Sequence, residues 1–164
     1  MLPAFVRAVY GLSTACAAVA AAMLFVAALV ITWSVFYRAS GGSTYWELEL
    51  SVFLMVASLF LGSPYCLATR GHVGVDLLTH YLPTRHARAV GIIVALVGLG
   101  VCLYLAWAGI QITLHSFSIG ERTESAWAPA KWPLFLSMAL GLGLTALQYV
   151  ADLVREALKP AGER

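Results

Sequence analysis

The stretch AVGIIVALVGLGVCLYLAWAGIQITLHSFSIG, residues 89–120, contains no aspartate, glutamate, lysine or arginine. About 20 helical residues cross a bilayer core of roughly 30 Å, and lipid offers a spanning backbone no hydrogen-bond partner outside itself. A charge-free run of this length reads as a transmembrane helix. The same reading applies to the charge-free runs 8–37, 50–69 and 132–151. The whole chain agrees, since 61% of its 164 residues are hydrophobic and 11% charged. A soluble domain is about half apolar and a quarter charged. The expected fold is an all-α integral membrane protein, one domain over 1–164, with spans at roughly 13–37, 50–69, 89–117 and 133–151. The first and third are longer than a perpendicular crossing needs, so they tilt or project.

Four spans put both termini on one side. Arg7, Arg70, Arg85, Arg88, Arg155, Lys159 and Arg164 share that side, and only Arg38, Arg122 and Lys131 lie opposite. The positive-inside rule then predicts cytoplasmic termini, N-in and C-in. The opposite face gathers Glu47, Glu49, Glu121 and Glu124 with Trp46, Trp127 and Trp132, which fit an interfacial aromatic belt. Arg7 before an Ala-rich run resembles a signal peptide, but the apolar run reaches Tyr37 and a signal h-region is only about 7–15 residues. The first segment is expected to be retained.

Small residues crowd the first span, in TACAAVAAAM, and recur as Gly91, Gly98, Gly109, Gly141 and Gly143. They let helix backbones approach closely in lipid. Pro64, inside the second span, removes a backbone hydrogen bond and is expected to bend the last turns. Cys16, Cys66 and Cys102 sit singly within spans and read as packing residues. No internal repeat suggests the paired halves of a self-sufficient transporter.

One polar passage interrupts the chain: RGHVGVDLLTHYLP, residues 70–83. As a helix over 73–82 it gathers Val73, Leu77, Leu78 and Tyr81 on one side, with His72, Asp76 and His80 at i, i+4 and i+8 on another. About ten residues is too short to span, so a short amphipathic helix lying in the interface between spans two and three is expected. Two histidines and a carboxylate at helical spacing can also meet one zinc, but no fourth ligand is in sight. No metal site is assigned. A polar face in which the histidines support Asp76 explains most of the passage.

The string LFLGSPYCLATRGHVGVDLLTHYLP resembles the small membrane subunit of tripartite ATP-independent periplasmic (TRAP) transporters, the DctQ-like family. The resemblance rests on a second helix opening on Glu47 and Glu49, then Arg70, Gly71, His72, Val73, Val75 and Asp76. Pro83 follows before the basic turn of Arg85 and Arg88, and SAWAPAKWP precedes the last span. It implies a non-enzymatic subunit in a bacterial inner membrane that binds and braces a large membrane subunit. A periplasmic solute-binding protein would complete the machine, with sodium-driven uptake of an organic acid as its work. Glu121, Arg122, Glu124, Trp127 and Lys131 are the candidate contact for that binding protein.

The residues agree through an absence. Ionisable groups inside a membrane usually mark substrate or ion paths, and no span has one near its middle. No catalytic, substrate-binding or cofactor residue is expected. Gln111 and Gln148 are expected to hydrogen-bond between helices. A haem b anchor needs two histidines at similar depth on facing helices. His72, His80 and His86 lie toward one face and His115 toward the other, so this alternative fits poorly. A generic four-helix scaffold is the remaining alternative. A net charge of +2 without a basic cluster excludes a nucleic-acid partner.

Overall fold

The computed structural model describes residues 2–69 and 84–158. The expected interfacial helix over 73–82, and with it Arg70, Gly71, His72, Asp76 and Pro83, lies outside the described residues. Those that are described form four long helices: α1 (Leu2–Ala39), α2 (Glu47–Ala68), α3 (Thr84–Ser118) and α4 (Trp132–Leu158). All four are long and apolar enough to cross a membrane, over Val6–Ala39, Glu47–Ala68, Val90–Ser118 and Trp132–Val154. The protein is a multi-pass, all-helical membrane protein.

The helices outrun the charge-free runs. α1 is already helical at Leu2 and passes through Arg7, and α3 starts at Thr84, ahead of Arg85 and Arg88. A charge limits the span rather than the helix, because an arginine stem can lie along the apolar surface with its head in water. Glycines set two of the stops. After α1, Gly41 takes φ +87°, and the N–H groups of Gly42 and Gly41 donate to the carbonyls of Tyr37 and Arg38. After α3, Gly120 takes φ +63°, and Glu121 and Gly120 donate to Ser116 and Phe117. Both are Schellman closures, which need a left-handed residue just past the helix.

The helices form an open row in the order α1, α2, α4, α3. α1 packs along α2, α2 along α4, and α4 along α3, with a smaller contact between α1 and α4. Among the described residues, α1 and α3 do not touch each other, and neither do α2 and α3. The inward side of α1 carries Ser13, Ala20, Ala27 and Ser34, all buried and seven residues apart, with Ala20 beside Gly62 of α2. Cys16, Met23 and Val30 fall between them, half-buried. This alternating three–four spacing is that of a left-handed helix seam. Of the small residues crowded in TACAAVAAAM, Ala20 is on this buried line, while Ala15, Ala18, Ala21 and Ala22 are exposed.

α2 and α4 approach closely where Pro64 breaks the hydrogen-bond ladder. Proline has no N–H to offer the Phe60 carbonyl, and Ser63 Oγ donates to that oxygen at 3.0 Å instead. Ser63 Oγ also lies within hydrogen-bond reach of Thr145 Oγ1 of α4, whose hydroxyl reaches the Gly141 carbonyl at 2.8 Å, so two hydroxyl protons are shared over three contacts. Gly141 lies so tightly on this turn that a β-carbon there would overlap the Phe60 backbone carbonyl. Pro64 itself is fully buried, and the helix continues through it to Ala68.

Candidate functional site

Two polar regions stand at opposite ends of the helices. At the end holding the N- and C-terminal ends of the chain's helices, Gln148 of α4 is fully buried. Its Oε1 accepts from Ser13 Oγ of α1 at 3.1 Å, and its Nε2–H donates to Asp152 Oδ1 at 3.3 Å. Tyr10 donates to the Ala68 carbonyl at the end of α2. Ser13 was hidden in the sequence among small residues, and only its place opposite Gln148 marks it as polar glue. The two glutamines expected to bond between helices separate here. Gln148 does so, whereas Gln111 is exposed and has no hydrogen bond among the described residues.

The other end carries the loop from Ile119 to Lys131. Its chain folds back on itself as a short hairpin, with Lys131 N–H donating to the Glu121 carbonyl at 3.1 Å and Thr123 N–H to Pro129 at 3.0 Å. Arg122 pairs as an isolated bridge with Ala130, and its guanidinium donates to the Ala128 carbonyl at 3.3 Å. Ala128, at φ +46°, is the one non-glycine in left-handed backbone among the described residues. The strain of such a residue persists only where its surroundings over-determine it. Here they do, since Ala128 N–H donates to Ser125, Pro129 follows, and Arg122 holds the Ala128 carbonyl.

Glu121 and Lys131 were expected to face a partner; within the chain they face each other. Lys131 Nζ donates to Glu121 Oε1 at 2.9 Å, and Ser116 Oγ donates to Oε2 at 2.9 Å. The hydrogen bond from Lys131, then that from Ser116, holds the Glu121 carboxyl below its ordinary range, and the same bond pushes Lys131 up. The pair ties the two feet of the hairpin. An exposed ion pair contributes little stability, so its role is to fix geometry. Phe117 and Trp132 stack edge to face beneath it, 5.8 Å between centroids. Arg122, Glu124 and Trp127 remain exposed on the hairpin.

The two glutamates opening α2 have opposite fates. Glu49 accepts a hydrogen bond from Ser125, which fastens the hairpin to α2. Glu47 points inward, 1% exposed, and neither of its oxygens has a partner among the described residues. Thr44 Oγ1 is likewise buried and unpaired. Thr44 and Glu47 have the spacing of a capping box, yet Trp46 stands at the N-cap and makes no side-chain cap bond. Ser125 is the residue that sequence reasoning missed, because nothing local links it to a glutamate 76 positions away. Among the described residues, no group of three or more histidines, cysteines or carboxylates is placed to hold a metal ion.

The family model described as "Tripartite ATP-independent periplasmic transporters, DctQ component" matches residues 27–159. The chain is also similar to the C4-dicarboxylate TRAP transporter small permease protein DctQ of Pseudomonas aeruginosa, 30% identical over 112 residues. That match covers 67% of this chain and 53% of the relative, so the chain spans about half the length of the curated relative it matches. The family-model match takes in α2, the hairpin and α4, the elements that build the loop-side site. The four apolar helices, the absence of a charge in mid-span and a match over most of its length converge on one conclusion: the chain belongs to the DctQ component family of the tripartite ATP-independent periplasmic transporters.

Proposed function

We propose that the chain is the small permease subunit of its transporter, a brace that works only when bound to the large membrane subunit. The family is one of transporter components rather than of enzymes. The observation that carries the bracing reading is the open row. A closed bundle would cover all its small faces, whereas here α1 and α3 stand apart as flanking helices. Their spans run to 34 and 29 residues, more than the roughly 20 a perpendicular crossing takes. Two long flanks on a tight α2–α4 centre make a wide, rigid plate. Such a plate suits a static frame, against which a moving transport domain in the partner achieves its displacement.

In this reading solute and sodium move through the large subunit, and the solute is an organic acid. A C4-dicarboxylate is the first to test, given the name of the relative. The chain lies in the inner membrane with both termini cytoplasmic, which puts the hairpin on the periplasmic side. Arg122, Glu124 and Trp127 would there meet the solute-binding protein, with Glu121 and Lys131 holding the hairpin in shape. Exposed charges of this kind tune encounter more than affinity, so the contact should be salt-sensitive. The signature residues Arg70, Gly71, His72, Asp76 and Pro83 would tie α2 to α3 or to the partner, without metal.

The test is reconstitution in liposomes of the small subunit alone, the large subunit alone, and both, each with the binding protein and a sodium gradient. Uptake is expected only from the pair. Uptake by this chain alone, or full uptake by the large subunit alone, overturns the bracing role. A haem absorption band in the purified chain would favour a respiratory anchor instead.

A further inference from the structure

α3 is the least buried of the four spans, with 6% of its most apolar window inside the protein against 39% for α4. Its inward side is clear. Ala106, Gly109, Thr113 and Ser116 are buried, and Gly98 and Gly109 lie against Tyr149 and Ala139 of α4. At 100° per residue, the diametrically opposite side carries Ile93, Val97, Gly100, Tyr104, Trp107 and Gln111, every one exposed. Their spacing alternates four and three, the seam pattern by which one helix receives another at a shallow left-handed crossing.

The polarity of this side is the reverse of what lipid asks. The flanks of α3 are hydrocarbon alone: Val94, Val101 and Ile112 on one side, Leu103, Ile110 and Phe117 on the other. The polar atoms sit on the stripe that points most directly away from the rest of the protein. The Tyr104 hydroxyl, the Trp107 indole N–H and the Gln111 amide have no hydrogen bond among the described residues. The Tyr104 and Trp107 rings lie side by side, 6.5 Å between centroids.

Depth rules out the headgroups as partners. Phe117 stacks on Trp132, next to the Glu121–Lys131 pair, and marks the edge of the apolar core. Trp107 is about 15 Å deeper at a 1.5 Å rise per residue, which is the middle of a core of roughly 30 Å. Tyr104 lies about 5 Å past that middle, still about 10 Å from the opposite surface, and Gln111 about 9 Å in. Helical side chains lean toward their own N-terminus, which carries the Gln111 amide further from that surface. α1 shows how a lipid-facing helix of this protein is made. Its exposed hydroxyls, Thr14 and Thr32, close on their own i−4 carbonyls at 2.9 and 2.7 Å, and the rest of its outer middle is hydrocarbon.

We infer that the Gly100–Gln111 stripe of α3 is the seat of one transmembrane helix of the large transport subunit, a helix that supplies hydrogen-bond acceptors at mid-membrane. This rests on the proposed bracing role and assigns it a surface. Acyl chains offer no acceptor for a phenol, an indole or an amide. A second copy of this chain paired side by side would set Tyr104 against Tyr104 and Trp107 against Trp107, bulk meeting bulk where a seam needs a hole for each knob. A different helix can place small residues there and insert its own side chain at Gly100, where a β-carbon would meet open space.

The experiment copurifies the large membrane subunit of the same transporter on a tagged small subunit in nanodiscs. Gly100→Trp fills the notch, and Val101→Trp, a quarter-turn away on the hydrocarbon flank, is its control. Neither should lower the thermal stability of the chain alone, because both positions are open. Gly100→Trp should lower recovery of the large subunit about tenfold or more, as overpacking at a seam does, and Val101→Trp should leave it within about twofold. A photo-crosslinking residue in place of Trp107 should attach to the large subunit. Attachment to a second copy, attachment to lipid alone, or equal recovery with both variants overturns the stripe as the seat. If the unaltered chain recovers no large subunit at all, it is the bracing role itself that fails.

Discussion

Gly141 and Gly143, two residues apart on α4, should respond to the same methyl group with opposite signs. In a helix interior, alanine is favoured over glycine by about 0.5–1 kcal/mol. At Gly143 a β-carbon meets nothing within 4 Å, so Gly143→Ala should realise that gain. At Gly141 it would overlap the Phe60 carbonyl and sit 2.7 Å from Phe60 Cβ. A backbone carbonyl cannot rotate aside, so α2 and α4 must separate and stretch the Ser63–Thr145 hydrogen bond. Overpacking costs about 1–3 kcal/mol, and an interhelix hydrogen bond in a membrane contributes roughly 0.6 kcal/mol. Set against the propensity gain, Gly141→Ala should lose about 1–3 kcal/mol, leaving the two variants about 2–4 kcal/mol apart. Gly109→Ala should fall between them, since its β-carbon would lie 3.2 Å from the movable Met138 Cε and 3.3 Å from the Ala139 backbone. Reversible unfolding in mixed micelles, followed by helical circular dichroism against denaturing-detergent fraction, measures all three. A Gly141→Ala protein as stable as Gly143→Ala would refute the close α2–α4 crossing.

Ser13→Ala should destabilise the chain by roughly 0.6 kcal/mol, at most about 1.7, because it removes one interhelix hydrogen bond in lipid; the same micelle unfolding reads it, and a larger loss would mean Gln148 has no other way to be satisfied. Glu47→Met keeps the length of the side chain and removes two buried unpaired acceptors, so the isolated chain should gain about 1–3 kcal/mol; a lower unfolding midpoint would show that the carboxylate has a partner after all. The hairpin clasp should be intact only at intermediate pH. Glu121 is held below its ordinary value, so its contribution is full above the unfolded pKa of about 4.3 and is lost as pH falls through the folded value. Lys131 is raised, so its contribution is full below about 10.4 and is lost as pH rises through the folded value. Tryptophan fluorescence from the hairpin should therefore stay flat between those limits and change beyond them, and Lys131→Met should abolish the alkaline transition and weaken the acid one, which the Ser116 bond still supports. For orientation, a cysteine at Thr84 should resist impermeant thiol reagents in intact cells and one at Ser125 should label, the reverse pattern placing the termini outside.

The sequence by itself determined that four helices cross the membrane. That decision is local: each charge-free run either has enough apolar length to insert or it does not, and neighbouring helices hardly alter the balance. The crowd of small residues in TACAAVAAAM pointed to packing in α1, but of these only Ala20 is buried, and Ser13, Ala27 and Ser34 outside it complete the line. The order α1, α2, α4, α3 was not legible. In lipid no hydrophobic force sorts one helix face from another, so the periodicity that reveals the core of a soluble helix carries little information here. Gln111 and Gln148 look alike as letters, and only the tertiary structure buries one against Ser13 and leaves the other outward on α3. Glu47 and Glu49 likewise read as one acidic helix start, yet the turn of the helix sends one carboxylate inward and the other to Ser125. Pairings such as Glu121 with Lys131 depend on where the hairpin closes, and that closure is fixed by contacts between residues distant in the chain. Insertion is written in composition, but the partners of each polar group are chosen by packing, because leaving such a group unpaired in a medium without water is the costliest outcome available to it.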